Sequence, residues 1–192
     1  MGTLRVTTAA TAEPLSLGEA REHLRVDHFD DDGVISGCIL AARQHVENVT
    51  GLALATSSWT MTLDAFPSDG WIYLQREPVQ SVTAVRYYNT SGVLTTWSSG
   101  QYEVDLYSTP PRLRARDGYS WPSTKDVLGA VQVEFVAGYG GAEAAPQPIL
   151  QAVRLLVGHF YENREASVVG TSAVALPFAV DALLAPYRTN WV

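Results

Sequence analysis

The hydrophobic period of this chain changes twice, and that constrains its fold more than any other feature. From Leu17 to Thr50 apolar residues recur at helical spacing; from Trp59 to Ala137 they alternate; after Pro146 the helical spacing returns. Ser16 followed by Glu19 has the form of a capping box and predicts a helix from about Leu17 to Arg25. Val34, Ile35, Cys38, Ile39, Ala42, Val46 and Val49 predict a second helix over about 32–50, ended by Gly51 in the left-handed conformation. Ile149, Ala152, Val153, Leu156, Val157 and Phe160 mark a third, ending near Arg164, and Pro177 opens a short fourth carrying Val180, Leu183, Leu184 and Tyr187.

Between the helix pairs, Trp59, Met61 and Leu63 alternate with Thr60, Thr62 and Asp64 as a half-buried strand. Strands are also predicted at 71–75, 79–88, 93–97, 102–106, 112–116 and 131–137, with a hairpin turn at Asn89-Thr90-Ser91-Gly92. The expected class is α+β: N- and C-terminal helix pairs form a four-helix core, and an antiparallel β lobe is inserted between them. The expected segments are a flexible or docking arm (1–13), a helical half (14–56), the β lobe (57–141), and a second helical half with a C-terminal tail (142–192).

Composition excludes several classes. A chain of 192 residues makes one domain, or one domain with an insertion. Cys38 is the only cysteine, so neither an internal disulfide nor a cysteine-based zinc site is possible. The net charge of −7 argues against tight wrapping of nucleic acid, which needs clustered Lys and Arg. No apolar run approaches the ~20 residues of a membrane span, and residues 1–13 do not read as a secretory signal; the expectation is a soluble intracellular protein. Charged residues make up only 17%, against about 25% in ordinary domains, and Lys125 is the only lysine among 13 basic residues. Arginine suits interfaces better than lysine, being less strongly hydrated and able to form planar paired bonds. A surface so neutral and so biased to arginine fits a protein partly covered by partners.

Catalytic motifs are weak. His23, Asp27 and His28 with the Asp30-Asp31-Asp32 run suggest a metal site, but the stretch from His28 puts Ile39 where a calcium loop needs a bidentate glutamate, and helix capping accounts for the acids. Gly118-Tyr119-Ser120-Trp121-Pro122 fails as a nucleophile elbow, Cys38 lies on an apolar helix stripe, and Gly138-Tyr139-Gly140-Gly141 reads as a turn. No cofactor is implied. Tyr87, Tyr88, Trp97, Tyr102, Tyr107, Tyr119 and Trp121 either fill the core of the lobe or make a carbohydrate-binding platform, and the core reading is favoured. The segment His159–Glu165 gathers Tyr161 and Arg164 at a helix end, suited to a subunit contact.

The opening Pro14-Leu15-Ser16-Leu17, Glu19-Ala20, His23-Leu24-Arg25-Val26 and the acids after it resemble the start of the head–tail connector (adaptor) proteins of long-tailed bacteriophages and gene transfer agents. The resemblance continues through Ile35, Ile39, Val46-Glu47 and Thr50-Gly51, the strand start Pro78-Val79, the segment from Ile149 to Glu165, and the close Leu183-Leu184, Pro186-Tyr187-Arg188. Over the β region it is loose.

The resemblance implies a non-catalytic structural adaptor at the head–tail junction of a virion or phage-like particle. Such a protein forms a ring, twelvefold in the family, beneath the portal protein, extends the DNA channel without gripping DNA, and docks a tail-side connector or stopper. No membrane partner is expected. Arg25, Tyr161, Arg164, Tyr187, Arg188 and Trp191 are the candidate subunit or portal contacts, and Asp27, Asp30, Asp31 and Asp32 the candidate channel-facing acids. The alternatives are a carbohydrate-binding module on the aromatic lobe and a metal-dependent hydrolase using His23, Asp27 and His28.

Overall fold

Ser16 does what its spacing to Glu19 predicts. Its hydroxyl accepts the Glu19 N–H at 3.2 Å, and the Glu19 carboxylate accepts the Ser16 N–H at 2.8 Å, which starts helix α1 (Leu17–Leu24). Arg25 ends it in the left-handed region at φ 57°. These positions come from a computed structural model that describes residues 2–141, 143–163 and 178–188. Helix α2 (Asp32–Thr50) closes at Gly51, whose φ of 77° only glycine adopts without strain. Helix α3 (Gln147–Glu162) follows Pro146 and carries Pro148 in its first turn, where no intrahelical N–H bond is lost. Helix α4 (Phe178–Leu184) runs into a 3₁₀ turn over 185–187.

The chain divides into two compact units, one of residues 12–55 with 139–192, the other of 1–11 with 56–138. In the first, a single apolar cluster takes in Leu15, Ala20 of α1, Ile35, Ile39, Ala42 and Val46 of α2, Ile149, Val153 and Leu156 of α3, and Val180 and Leu184 of α4. Cys38 is buried with them, on the stripe its spacing assigned to it.

The second unit is wholly antiparallel. Its strands are β1 (Thr3–Thr8), β2 (Ser57–Leu63), β3 (Trp71–Tyr73), β4 (Val79–Tyr88), β5 (Leu94–Trp97), β6 (Tyr102–Asp105), β7 (Arg112–Ala115) and β8 (Val131–Ala137). Five form a sheet in the order β1-β2-β8-β4-β5, and three form a second in the order β3-β7-β6. Along β8, Val131, Val133, Phe135 and Ala137 are buried while the residues between them are half-exposed, the period-2 pattern of a strand with one face on the core.

Residues 1–13 differ from expectation. Their first part is not a flexible arm: Thr3–Thr8 is an edge strand on β2, with Leu4 opposite Met61 and Val6 opposite Trp59. Thr-Leu-Arg-Val-Thr-Thr does alternate, but its paired residues on β2 lie 50 to 59 positions away, and local composition does not show such a partner. The structure also sets Gly2 against that strand, where a Cβ would come within 2.8 Å of the Leu63 side chain.

Candidate functional site

The acidic stretch between α1 and α2 splits into two pairs. Asp27 and Asp30 are exposed, the latter with its carboxylate 4.0 Å from His28 Nδ1. Asp31 and Asp32 are half-buried and are engaged within the helical unit. The Tyr161 hydroxyl donates to Asp31, tying the end of α3 to the start of α2, and Arg21 Nε lies 3.6 Å from Asp32 Oδ1. The Arg21 guanidinium also sits 4.0 Å from the centre of the Phe29 ring. Two of the four acids expected at a channel wall, and one of the tyrosines expected at a subunit contact, therefore help to close the fold. Tyr187 is half-buried against the same apolar cluster, and Arg188 pairs with Asp181 at 2.8 Å on the surface. Arg25 is exposed. Arg164 and Trp191 lie outside the described residues. No group of three His, Cys, Asp or Glu side chains able to hold a metal occurs among the described residues, and His23, Asp27 and His28 do not converge into one.

Five aromatic residues of the β unit, Phe66, Tyr87, Trp97, Tyr102 and Trp121, pack on one another, while Tyr107 and Tyr119 are exposed outside that cluster. Phe66 stacks on Trp121 with centroids 4.6 Å apart and planes at 10°, Trp97 meets Trp121 at 4.6 Å, and Trp97 stacks on Tyr102 at 5.7 Å. Trp97 and Tyr102 are buried, and the Trp121 indole N–H donates to the Gly70 carbonyl at 2.9 Å. A sugar-binding platform needs exposed ring faces, so this cluster fills a core.

Sequence reasoning missed the outer face of the three-stranded sheet. There Trp71 of β3 is paired in register with Arg114 of β7, which faces Glu103 of β6; the next row is Tyr73, Arg112 and Asp105. Arg112 and Arg114 both cover the Trp71 ring, at 4.3 and 5.1 Å. Arg112 Nε donates to Asp105 at 3.2 Å and Arg114 donates to Glu103. Trp71, Glu103, Asp105, Arg112 and Arg114 line a shallow open groove with the fully exposed Tyr107. The signal lay in Arg-Leu-Arg against Glu-Val-Asp, but it appears only once the strands are in register.

The Asp105 carboxyl is held down at about 2, chiefly by the Ser108 hydroxyl, then by the Ser108 and Tyr107 N–H groups and by Arg112. Because the folded value lies below the unfolded one, the associated stabilisation is complete above the unfolded value near ~3.9 and is lost as pH falls towards the folded midpoint. Carboxyl-carbon NMR titration should give Asp105 a midpoint near 2, and Ser108→Ala should raise that midpoint. An unmoved midpoint would mean that the hydroxyl does not hold the carboxylate.

A sequence profile described as Phage gp6-like head-tail connector protein matches residues 14–109, half of the chain. The chain belongs to this family of head-tail connectors. The match takes in α1, α2 and strands β2 to β6, and leaves β1 outside it. Among solved structures, the connector is similar to a chain in the neck of an empty gene transfer agent particle computed with C6 symmetry. The two are 30% identical with a TM-score of 0.82, covering 99% of this connector and 97% of that chain. It is similar also to a chain of the native gene transfer agent virion, at 29% identity and TM-score 0.79, and to one in the native neck computed with C12 symmetry, at 29% and 0.77. Coverage in both cases is again 99% and 97%. No curated protein matches the sequence. The connector has no described helix long and apolar enough to cross a membrane.

Proposed function

We propose that this chain is a non-enzymatic head-to-tail adaptor that assembles as a twelvefold ring beneath the portal, at the head–tail junction of a virion or gene transfer agent particle. It extends the DNA channel and docks a tail-side connector or stopper. The observation that carries this reading is likeness along nearly the whole of both chains to neck components solved with sixfold and twelvefold symmetry. A match confined to a helix pair would support only a shared fold. One that takes in the β unit as well supports a shared place in the assembly.

The proposed body of each subunit is a four-helix core made by the N- and C-terminal helix pairs. Exposure leaves Arg25 and Arg188 as contact candidates and Asp27 and Asp30 as channel-facing acids; half-buried Tyr187 and, outside the described residues, Arg164 and Trp191 stay proposed contacts. A net charge of −7 suits a wall that DNA slides past, because acidic groups repel phosphate.

Electron microscopy of the full chain assembled with its portal protein tests this. The expected result is a ring of twelve copies below the portal. A chain that stays monomeric and is absent from particles overturns it.

A further inference from the structure

The β unit has two outer faces turned away from one core. Trp97 of β5 and Tyr102 of β6 stack where the inner faces of the two sheets meet, so residues alternating with them along each sheet point outward on opposite sides. On the three-stranded sheet these are the Trp71–Arg114–Glu103 and Tyr73–Arg112–Asp105 rows. On the five-stranded sheet they include Thr3 and Arg5 of β1, opposite Thr62 and Thr60 of β2.

A closed ring needs such an arrangement, since a head-to-tail contact joins two different surfaces of the same chain. Resting on the ring reading above, we infer that the Trp71–Arg112–Arg114 face of one copy seats on the β1–β2 face of the next, so that a second copy of this chain occupies each face.

Three observations favour this occupant. The first is charge: Glu103 and Asp105 keep 43% and 35% of their side-chain surface exposed, while Arg5 is exposed and has no ion pair among the described residues. Each acid already holds one arginine of its own face, and the cation of β1 would add a second partner at the carboxylate surface that stays exposed. The second is the bare edge. Beyond its bonds to β2, β1 turns alternate backbone N–H and C=O groups outward, and its first four residues run in unbroken register with one charge and no proline. Charged side chains, prolines, bulges or a covering element blunt such an edge; among the described residues β1 has Arg5 and a register shift between Val6 and Thr8, and the rim of the β1–β2 face is otherwise bare. The third is preorganisation. Tyr107 is wholly exposed, yet its backbone is fixed, because Asp105 Oδ1 accepts the N–H groups of Tyr107 and Ser108, both at 3.1 Å. A large aromatic held ready in solvent beside a braced Trp–Arg stack binds with little ordering cost.

Cross-linking in the assembled ring tests the inference. Full-length R5C, Y107C and R5C/Y107C chains are each assembled with the portal protein and treated with a bis-maleimide; buried Cys38 is common to all three. The double variant should give a ladder of covalent multiples on a denaturing gel. Each single variant alone should give only monomer, and an equimolar mixture of the two should give dimers and nothing larger. The mixture serves where the double variant assembles poorly. Rings visible by microscopy without these cross-links overturn the pairing of faces and leave the ring reading standing. Dimers from a single variant alone, which would show like faces meeting, also overturn it. Failure of the unmodified chain to form rings overturns both.

Discussion

Arg43→Ala should cost the helical unit about 3 kcal/mol, most of it from a carboxylate left behind in a buried place. Arg43 lies on α2 with 14% of its side chain exposed and Glu47 one turn on with 11%. Arg43 Nη1 donates to one oxygen of Glu47 at 2.8 Å, and Arg43 Nε donates to Glu13 at 2.6 Å. The other oxygen of Glu47 accepts the buried N–H of Leu54 at 2.9 Å. One guanidinium thus joins the segment before α1 to α2, and through Glu47 reaches the chain beyond Gly51. Truncating it takes the cation from beside a desolvated carboxylate, which costs far more than a surface pair of about 0.5 kcal/mol. In a chain of this size the melting temperature should fall by roughly 6–12 °C. Adding Glu47→Gln to Arg43→Met removes the charge and keeps an acceptor for Leu54, so it should restore much of the loss. A chemical denaturation series giving under ~1 kcal/mol for Arg43→Ala would show that the carboxylate stays hydrated.

This network marks the limit of what the sequence makes legible. That Arg43 and Glu47 sit one helical turn apart is plain from their spacing, and so is α2 itself, whose span from Asp32 to Thr50 was expected. Burial of the pair is not, because it depends on Glu13 and Leu54, brought in from outside the helix. Elements bounded by local chemistry are the most readable: the Ser16–Glu19 box, Gly51, and the alternating run 131–137. What escaped were non-local pairings. β1 depends on β2, Tyr161 bonds Asp31 across 130 residues, and the Arg-over-Trp face exists only when β3, β7 and β6 lie in register. Residue type marks Tyr161 and Asp31 as surface candidates, and type says nothing about a partner so far along the chain.

The same reasoning separates two deletions at the C-terminal end. Tyr187, Arg188 and Trp191, the candidate contacts of the sequence, all fall within residues 177–192, and a segment that only docks on a neighbour is removable without harm to the fold. The structure divides this segment. Val180 and Leu184 of α4 are 2% and 0% exposed within the apolar cluster of the helical unit, with Leu183 and Tyr187 packed partly against it. Burying one such side chain is worth about 1.5–3 kcal/mol, and removing it leaves a cavity that adds to the loss. Deleting 178–192 should therefore destabilise the helical unit by about 4 kcal/mol or more, read as an early thermal transition and increased amide exchange in α2 and α3. Deleting only 189–192 spares these contacts and the Arg188–Asp181 pair, so its melting temperature should match the full chain. If the last residues contact the portal or the next subunit, that shorter deletion should lose incorporation into particles while the subunit stays folded. An unfolded 189–192 deletion, or a 178–192 deletion as stable as the full chain, would reverse the assignment: the tail would then belong to the core, and α4 to the assembly.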